Sequence, residues 1–214
     1  MNTVKYPRTP HLPWSKGMTK DDKMIESLTR LMANEVVVTE KLDGENTTLY
    51  SFGIHARSEN SLNESHPSRN LLKVLHASIA HDIPEGMRIC GENVFAKHSI
   101  HYTELTAYFQ VFSIWQDDVC YSWTATQDWC DLLGLTPVPH LYRGEWNGAA
   151  IMDCYTGESA QGGAQEGYVV RKASSFLQGD FSAYVAKYVR ANHVSADRHW
   201  RHAPLVPNIL KQEG

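Results

Sequence analysis

Cysteine is scarce in this chain: Cys90, Cys120, Cys130 and Cys154 are the only four in 214 residues, and no two are spaced as Cys-x-x-Cys. That scarcity excludes a zinc ribbon and argues against a disulfide-stapled secreted scaffold, pointing instead to a reducing compartment. Long apolar runs are missing too. No stretch approaches the ~20 residues needed to cross a bilayer, and the first thirteen residues place Pro7, Pro10 and Pro13 where a signal peptide needs an apolar segment. The expectation is a soluble, cytoplasmic protein with no membrane partner. Repeats, low-complexity tracts and linkers are also absent. At 42% hydrophobic, a chain of this size can bury roughly 70% of its unfolded surface without metal or disulfide support. A single domain over 1–214 is therefore expected.

A strong charge of one sign is also lacking, since the net is only -4. The sum conceals an uneven distribution: residues 1–30 hold six Lys/Arg against three Asp/Glu, and residues 185–214 hold five against two. An acidic body with two basic ends grips polyanions poorly in bulk, yet it can hold a phosphate backbone along one groove.

Periodicity predicts the elements. From Thr19, a capping-type Thr19/Asp22 pair and apolar Met24, Ile25, Leu28, Leu31 and Met32 predict a helix. Val36–Val38 then run through Asp43-Gly44 into Thr47–Tyr50, which predicts strand, turn and strand. A short strand over 54–58, a helix capped by Ser68 and strands over 87–95 and 108–115 follow. A return strand over 119–123 turns at Asp117-Asp118, and a helix over 124–133 ends at Gly134. Residues 157–163 read as a loop, and 167–172 and 184–189 as strands. About eight strands in hairpin-like succession with three helices predict an α+β fold with antiparallel sheets.

The most informative stretch is Glu40-Lys41-Leu42-Asp43-Gly44-Glu45-Asn46, which sets a lysine at the end of an apolar strand beside a sharp turn. Burial there disfavours the ammonium form, and a nearby second cation disfavours it further, which makes a lysine nucleophilic at neutral pH. Lys-x-Asp-Gly is followed in order by His55-Ala56-Arg57-Ser58, Cys90-Gly91-Glu92-Asn93, Phe109-Gln110-Val111-Phe112-Ser113-Ile114, Glu166-Gly167-Tyr168-Val169-Val170-Arg171-Lys172 and Ala186-Lys187-Tyr188-Val189-Arg190.

This series, over roughly residues 35 to 190, resembles the covalent nucleotidyltransferases. Within them it is most similar to ATP-dependent RNA ligases of the second, nick-sealing phage type. The resemblance implies two antiparallel sheets with flanking helices, the ATP-grasp-like nucleotidyltransferase domain of ligases. Lys41 would attack the α-phosphorus of ATP and carry AMP, with Asp43 shaping its turn and Glu40 among the nucleotide-binding residues. Arg57 would contact phosphate or the incoming RNA end, and Glu92 would accept hydrogen bonds from the ribose hydroxyls. Phe112, rather than Phe109, would stack on the base. Glu166 would hold Mg2+ or Mn2+, Lys172 would touch the nucleotide, and Lys187 would neutralise the α-phosphate while lowering the pKa of Lys41.

The resemblance also gives Arg190 a place at the nucleic acid, although regular alternation would turn it to the other face of its strand. After Lys187 only 27 residues remain, so no separate oligonucleotide-binding barrel or helical domain is expected. Grip on RNA ends would come from the basic ends, from Arg57 and Lys97, or from a partner protein. His193, His199 and His202 are read as solvent- or phosphate-facing rather than as a metal site. The rival readings are a GTP-using or DNA-directed nucleotidyltransferase, and a nucleotide- or RNA-end-binding module without ligation.

Overall fold

A computed structural model describes residues 3–57, 66–191 and 204–212. In chain order the elements are α1 (Thr29–Met32), β1 (Glu35–Lys41), β2 (Glu45–Tyr50), β3 (Gly53–Ala56), α2 (Asn70–Ile79), β4 (Met87–Asn93), β5 (Phe109–Gln116), β6 (Val119–Cys120) and α3 (Trp123–Leu133). They continue as β7 (Thr136–Pro137), β8 (His140–Glu145), α4 (Gly148–Asp153), β9 (Gly167–Lys172), β10 (Phe176–Leu177), α5 (Phe181–Tyr184) and β11 (Val185–Val189). The smaller sheet has the order β11-β9-β1-β8, and the larger runs β10-β6-β5-β4-β2-β3 with β7 beside β5. Every pairing is antiparallel except that of β5 with β7. The α+β expectation with two antiparallel sheets holds.

Strand alternation explains how β1 serves two environments. Val36 and Val38 pack with Tyr168, Val170, Ala186 and Ile151 on the outer side of the smaller sheet, whereas Val37 packs on the opposite side with Leu42, Val94 and Trp123. Side chains two apart share a face, so Thr39 and Lys41 follow Val37 into the space between the sheets. The far side of the larger sheet packs Leu49, Ile89, Val111 and Ile114 against Leu72 and Ile79 of α2 and Cys130 and Leu133 of α3. Both sheets therefore bury one face in a core and turn the other toward a shared cleft.

Several expected boundaries move, each for a local reason. Only Thr29–Met32 of the helix expected from Thr19 is helical. Asp22 does accept hydrogen bonds from Thr19 N–H (3.0 Å) and Oγ (2.8 Å), but His11 N–H donates to Lys23 O and Ile25 N–H to His11 O, which draws 23–25 into extended pairing. Ser68 is not a cap. The His66 ring accepts from Ser68 N–H, Pro67 opens a 3-10 turn, and α2 follows. The return strand after β5 stops at Cys120, because Ser122 caps α3 by accepting from Ala125 N–H; Gly134, at φ +64°, ends α3 as expected. Strand β8 and helix α4 escape the sequence reading. The burial of β8 does not alternate cleanly, and α4 is short and buries only Ile151. Ser58 and the three C-terminal histidines lie outside the described residues, as do 59–65.

Candidate active site

The cleft between the sheets is a cavity of about 780 Å³, a size typical of small-molecule sites. Lys41, Asp43, Arg57, Glu92, Glu166 and Lys187 all line it. Register explains part of this meeting: Lys41 lies opposite Gly167, the residue after Glu166, and Val189 lies opposite Gly167 on the other side. Gly167 is required there, since a Cβ would collide with the Tyr188 carbonyl. At the β1–β2 turn, a Cβ on Gly44 would come within 2.6 Å of Asn93 O. Only glycine lets the turn approach β4 so closely that Gly44 N–H donates to Glu92 Oε1 at 3.2 Å.

The turn itself is rigidly held. Asp43 Oδ2 accepts from Ser99 N–H (2.8 Å), Ser99 Oγ (2.6 Å) and Ile100 N–H (2.9 Å), and Asp43 N–H donates to Tyr102 Oη at 2.9 Å. Asp43 thus ties the turn that follows Lys41 to the loop at 99–100, an anchor that the sequence does not announce.

Lys41 Nζ donates to Glu166 Oε1 at 2.6 Å. Glu166 is buried at 2% exposure, while Lys41 keeps 25%. Burial on its own would lower the pKa of Lys41, but the charges of Glu166, Glu92 and Asp43 outweigh it and raise the value. This corrects the expectation of a lysine made neutral by burial and by Lys187: the surrounding carboxylates favour its ammonium form. The carboxylates bear the complementary strain. Burial pushes Glu166 up to about 7 against the opposing pull of Lys41, and burial, with Glu166 and Asp43 nearby, pushes Glu92 up to about 8. Lys187 is lowered, by burial and then by repulsion from Lys41, and its Nζ lies 3.5 Å from Asp22 Oδ1.

Other expected site residues divide. Phe112 lines the cavity, whereas Phe109 is buried in the core of the larger sheet. Arg57 lines the cavity with its Nε donating to Tyr6 O at 3.0 Å. Lys172 does not line it: its ammonium sits 4.5 Å over the Tyr184 ring. Alternation turns Arg171 inward instead, where it is buried and donates to Tyr121 O (2.6 Å) and Phe112 O (3.4 Å). Glu40 borders the cavity, but it is 2% exposed and belongs to the face of β1 that carries Val36 and Val38. Burial raises the pKa of its carboxyl, with Ser159 and the Ala160 amide opposing. Arg190 follows the end of β11 and is absent from the cavity wall. Its N–H donates to Glu166 O at 2.9 Å, so it steadies the backbone of the glutamate. Lys97 is exposed and also lies off the cavity wall.

Sequence reading passed over a further set: Tyr6, His11 and Asp22 line the same cavity, and the only hint was the basic character of residues 1–30.

Two antiparallel sheets thus enclose a cleft in which a lysine meets buried carboxylates. The sequence pattern of the RNA ligase family matches residues 34–189, and the chain belongs to that family. No curated protein sequence matches the chain. Among solved structures, a Naegleria gruberi RNA ligase mutant with ATP and Mn superposes with a TM-score of 0.54 at 18% identity, over 82% of this chain and 56% of that one. The same ligase with PPi gives 0.55 at 16% identity, over 89% and 62%. Another of its mutants, with AMP and Mn, gives 0.53 at 16%, over 89% and 63%. The chain thus spans about three-fifths of the length of these relatives, and the likeness is one of fold. Among the described residues, no helix is long and apolar enough to cross a membrane.

Proposed function

We propose that the chain is an ATP-dependent RNA ligase that forms a lysyl-AMP intermediate on Lys41 and joins RNA 5′-phosphate and 3′-hydroxyl ends. The observation that carries this reading is the convergence of the Lys41 amine, the Asp43, Glu92 and Glu166 carboxylates and the Lys187 and Arg57 cations on one cavity, in a chain of the RNA ligase family. In the first step Lys41 Nζ bonds to the α-phosphorus, the bond to the bridging oxygen breaks, and the electron pair leaves with pyrophosphate. Lys187 would meet the charge that grows on the phosphate oxygens. Glu92 would accept from the ribose and Phe112 would stack on the base.

Among the described residues no three His, Cys, Asp or Glu side chains form a ready metal cage, so a divalent cation here would rely on one or two cavity carboxylates completed by phosphate oxygens and water. Hard carboxylate oxygens crowd a buried site and strain each other's ionisation, and a few carboxylates plus phosphate oxygens and water are what magnesium prefers. Glu166 would hold it, and the ion would supply charge neutralisation on the nucleotide phosphates. With positive charge bound, Glu166 would hold the Lys41 proton less strongly. Burial and the nearby Lys187 then favour the neutral amine. The Naegleria structures solved with ATP and Mn and with AMP and Mn support this nucleotide and metal class. RNA ends as partner, grip from the chain's own cations or from a partner protein, and a cytoplasmic setting belong to the same reading.

The test is labelling with α-labelled ATP and magnesium, followed by acid and alkali. Acid-labile, alkali-stable label that is absent from Lys41→Ala is expected. Label from GTP instead of ATP would move the assignment to a GTP-using transferase. Folded protein that labels with neither would leave only a binding module.

A further inference from the structure

Residues 4–12 tie the two sheets together across the cavity. On the side of the larger sheet, Val4 N–H donates to Tyr50 Oη (2.9 Å), which donates back to Val4 O (3.1 Å). On the side of the smaller sheet, Lys187 N–H donates to Pro10 O (2.9 Å) and Leu12 N–H to Lys187 O (2.8 Å). Tyr6 lies between these two anchorages and lines the cavity.

Its ring meets three aromatic side chains at near-perpendicular angles: Phe112 at 5.0 Å between centroids, Phe181 at 5.3 Å and Trp115 at 6.5 Å. Val169 packs into the same cluster. An edge-to-face contact has a preferred angle, so a ring held in this way restricts how far Phe112 can swing. The same residue accepts a hydrogen bond from Arg57 Nε through its carbonyl. One residue therefore touches both the aromatic group and the guanidinium that line the cavity on the side of the larger sheet. The ring packs against the buried cluster of Trp115, Phe176 and Phe181, and burial raises the pKa of its hydroxyl, yet the residue also lines the cavity, so its placement serves the core and the site together.

We propose that Tyr6 is a positioning residue of the nucleotide site: its ring sets the angle at which Phe112 offers itself to the base, and its carbonyl keeps Arg57 aimed at the same cavity. This rests on the reading of Phe112 as the base-stacking residue. The ligand class is a purine nucleotide, and the effect is on its binding rather than on the bond-making step.

The test compares Tyr6→Ala, Tyr6→Leu and Tyr6→Phe with the parent protein in the rate of self-adenylylation against ATP concentration, with folding checked by circular dichroism. Tyr6→Ala and Tyr6→Leu should raise KM for ATP about 10-fold, the scale of one lost base–aromatic contact, with kcat within about two-fold. Tyr6→Phe keeps the ring and the carbonyl and should restore the parent KM. A purely structural role would lower kcat by reducing the active fraction and would leave KM alone. The proposal is overturned if Tyr6→Leu, folded as the parent, leaves KM unchanged. It is equally overturned if KM falls, because the ring would then be occupying the base slot rather than shaping it. Phe112→Ala separates the two levels. If Phe112→Ala raises KM while Tyr6→Leu does not, only the role of Tyr6 fails; if neither raises it, the stacking assignment fails as well.

Discussion

The two ends of the cavity are built on different physics. At one end Lys41, Asp43, Glu92 and Glu166 crowd together, and two of the carboxylates carry pKa values near neutrality because burial opposes their charge. At the other, Tyr6, Phe112, Trp115 and Phe181 pack ring against ring. The charged end is conditional, since burial holds two of its carboxylates near the pH at which they change charge. The aromatic end is set by packing before any ligand arrives. The contrast is one of charge against packing: Lys41 is hydrogen-bonded to Glu166, and the neighbouring carboxylates raise its pKa against the opposing effect of burial.

The sharpest way to break that contrast is to change the partner of Lys41. Glu166→Gln removes the nearest of the charges that raise its pKa, and it also removes the proposed cation ligand. Adenylylation should fall by about 10²-fold or more, while the pH dependence of Lys41 modification by an amine reagent shifts to lower pH. A rate loss without that shift would show that the ion pair does not govern the lysine. At the aromatic end, Phe112→Ala should raise KM for ATP by about 10-fold and leave the pH profile of Lys41 unmoved. A moved profile would mean that the two ends are not independent.

How much of this was legible beforehand follows the same division. Lys41 and Asp43 stand out locally, at the end of an apolar strand and in the Asp-Gly turn that follows it, whereas Glu92, Glu166 and Lys187 are picked out only by the order of motifs that carries the resemblance to RNA ligases, and all five line the cavity. The slip from Arg171 to Lys172 was a register error of one residue, and a one-residue step on a strand reverses the face. Arg171 lies inward on β9 while Lys172 covers Tyr184. Tyr6, His11 and Asp22 were illegible for another reason. They precede the first regular element, and their meaning comes from contacts with Phe112 and Lys187 more than a hundred residues away. No periodicity announces such a contact. The helix expected from Thr19 gives way to a nearer pairing, in which His11 bonds to Lys23 and Ile25 and draws that stretch into extended form.

The smallest effect concerns the segment that joins the two ends. Burial first, and the charge of Lys187 next, lower the His11 pKa from 6.5 to about 4, although Asp22 opposes them. The unfolded chain therefore takes up this proton before the folded one does. The stability that His11 contributes is complete above about 6.5 and is lost as pH falls through about 4. Thermal unfolding between pH 8 and pH 4 should show a steeper acid loss in the parent than in His11→Asn. Equal slopes would remove His11 from the account.

The most direct test of the central claim is peptide mapping by tandem mass spectrometry after incubation with ATP and magnesium. One adenylyl group should appear, on the peptide containing Lys41 and on the Nζ of that residue. An adenylyl group on Lys187 or any other lysine, or none on protein that remains folded and binds ATP, would contradict it.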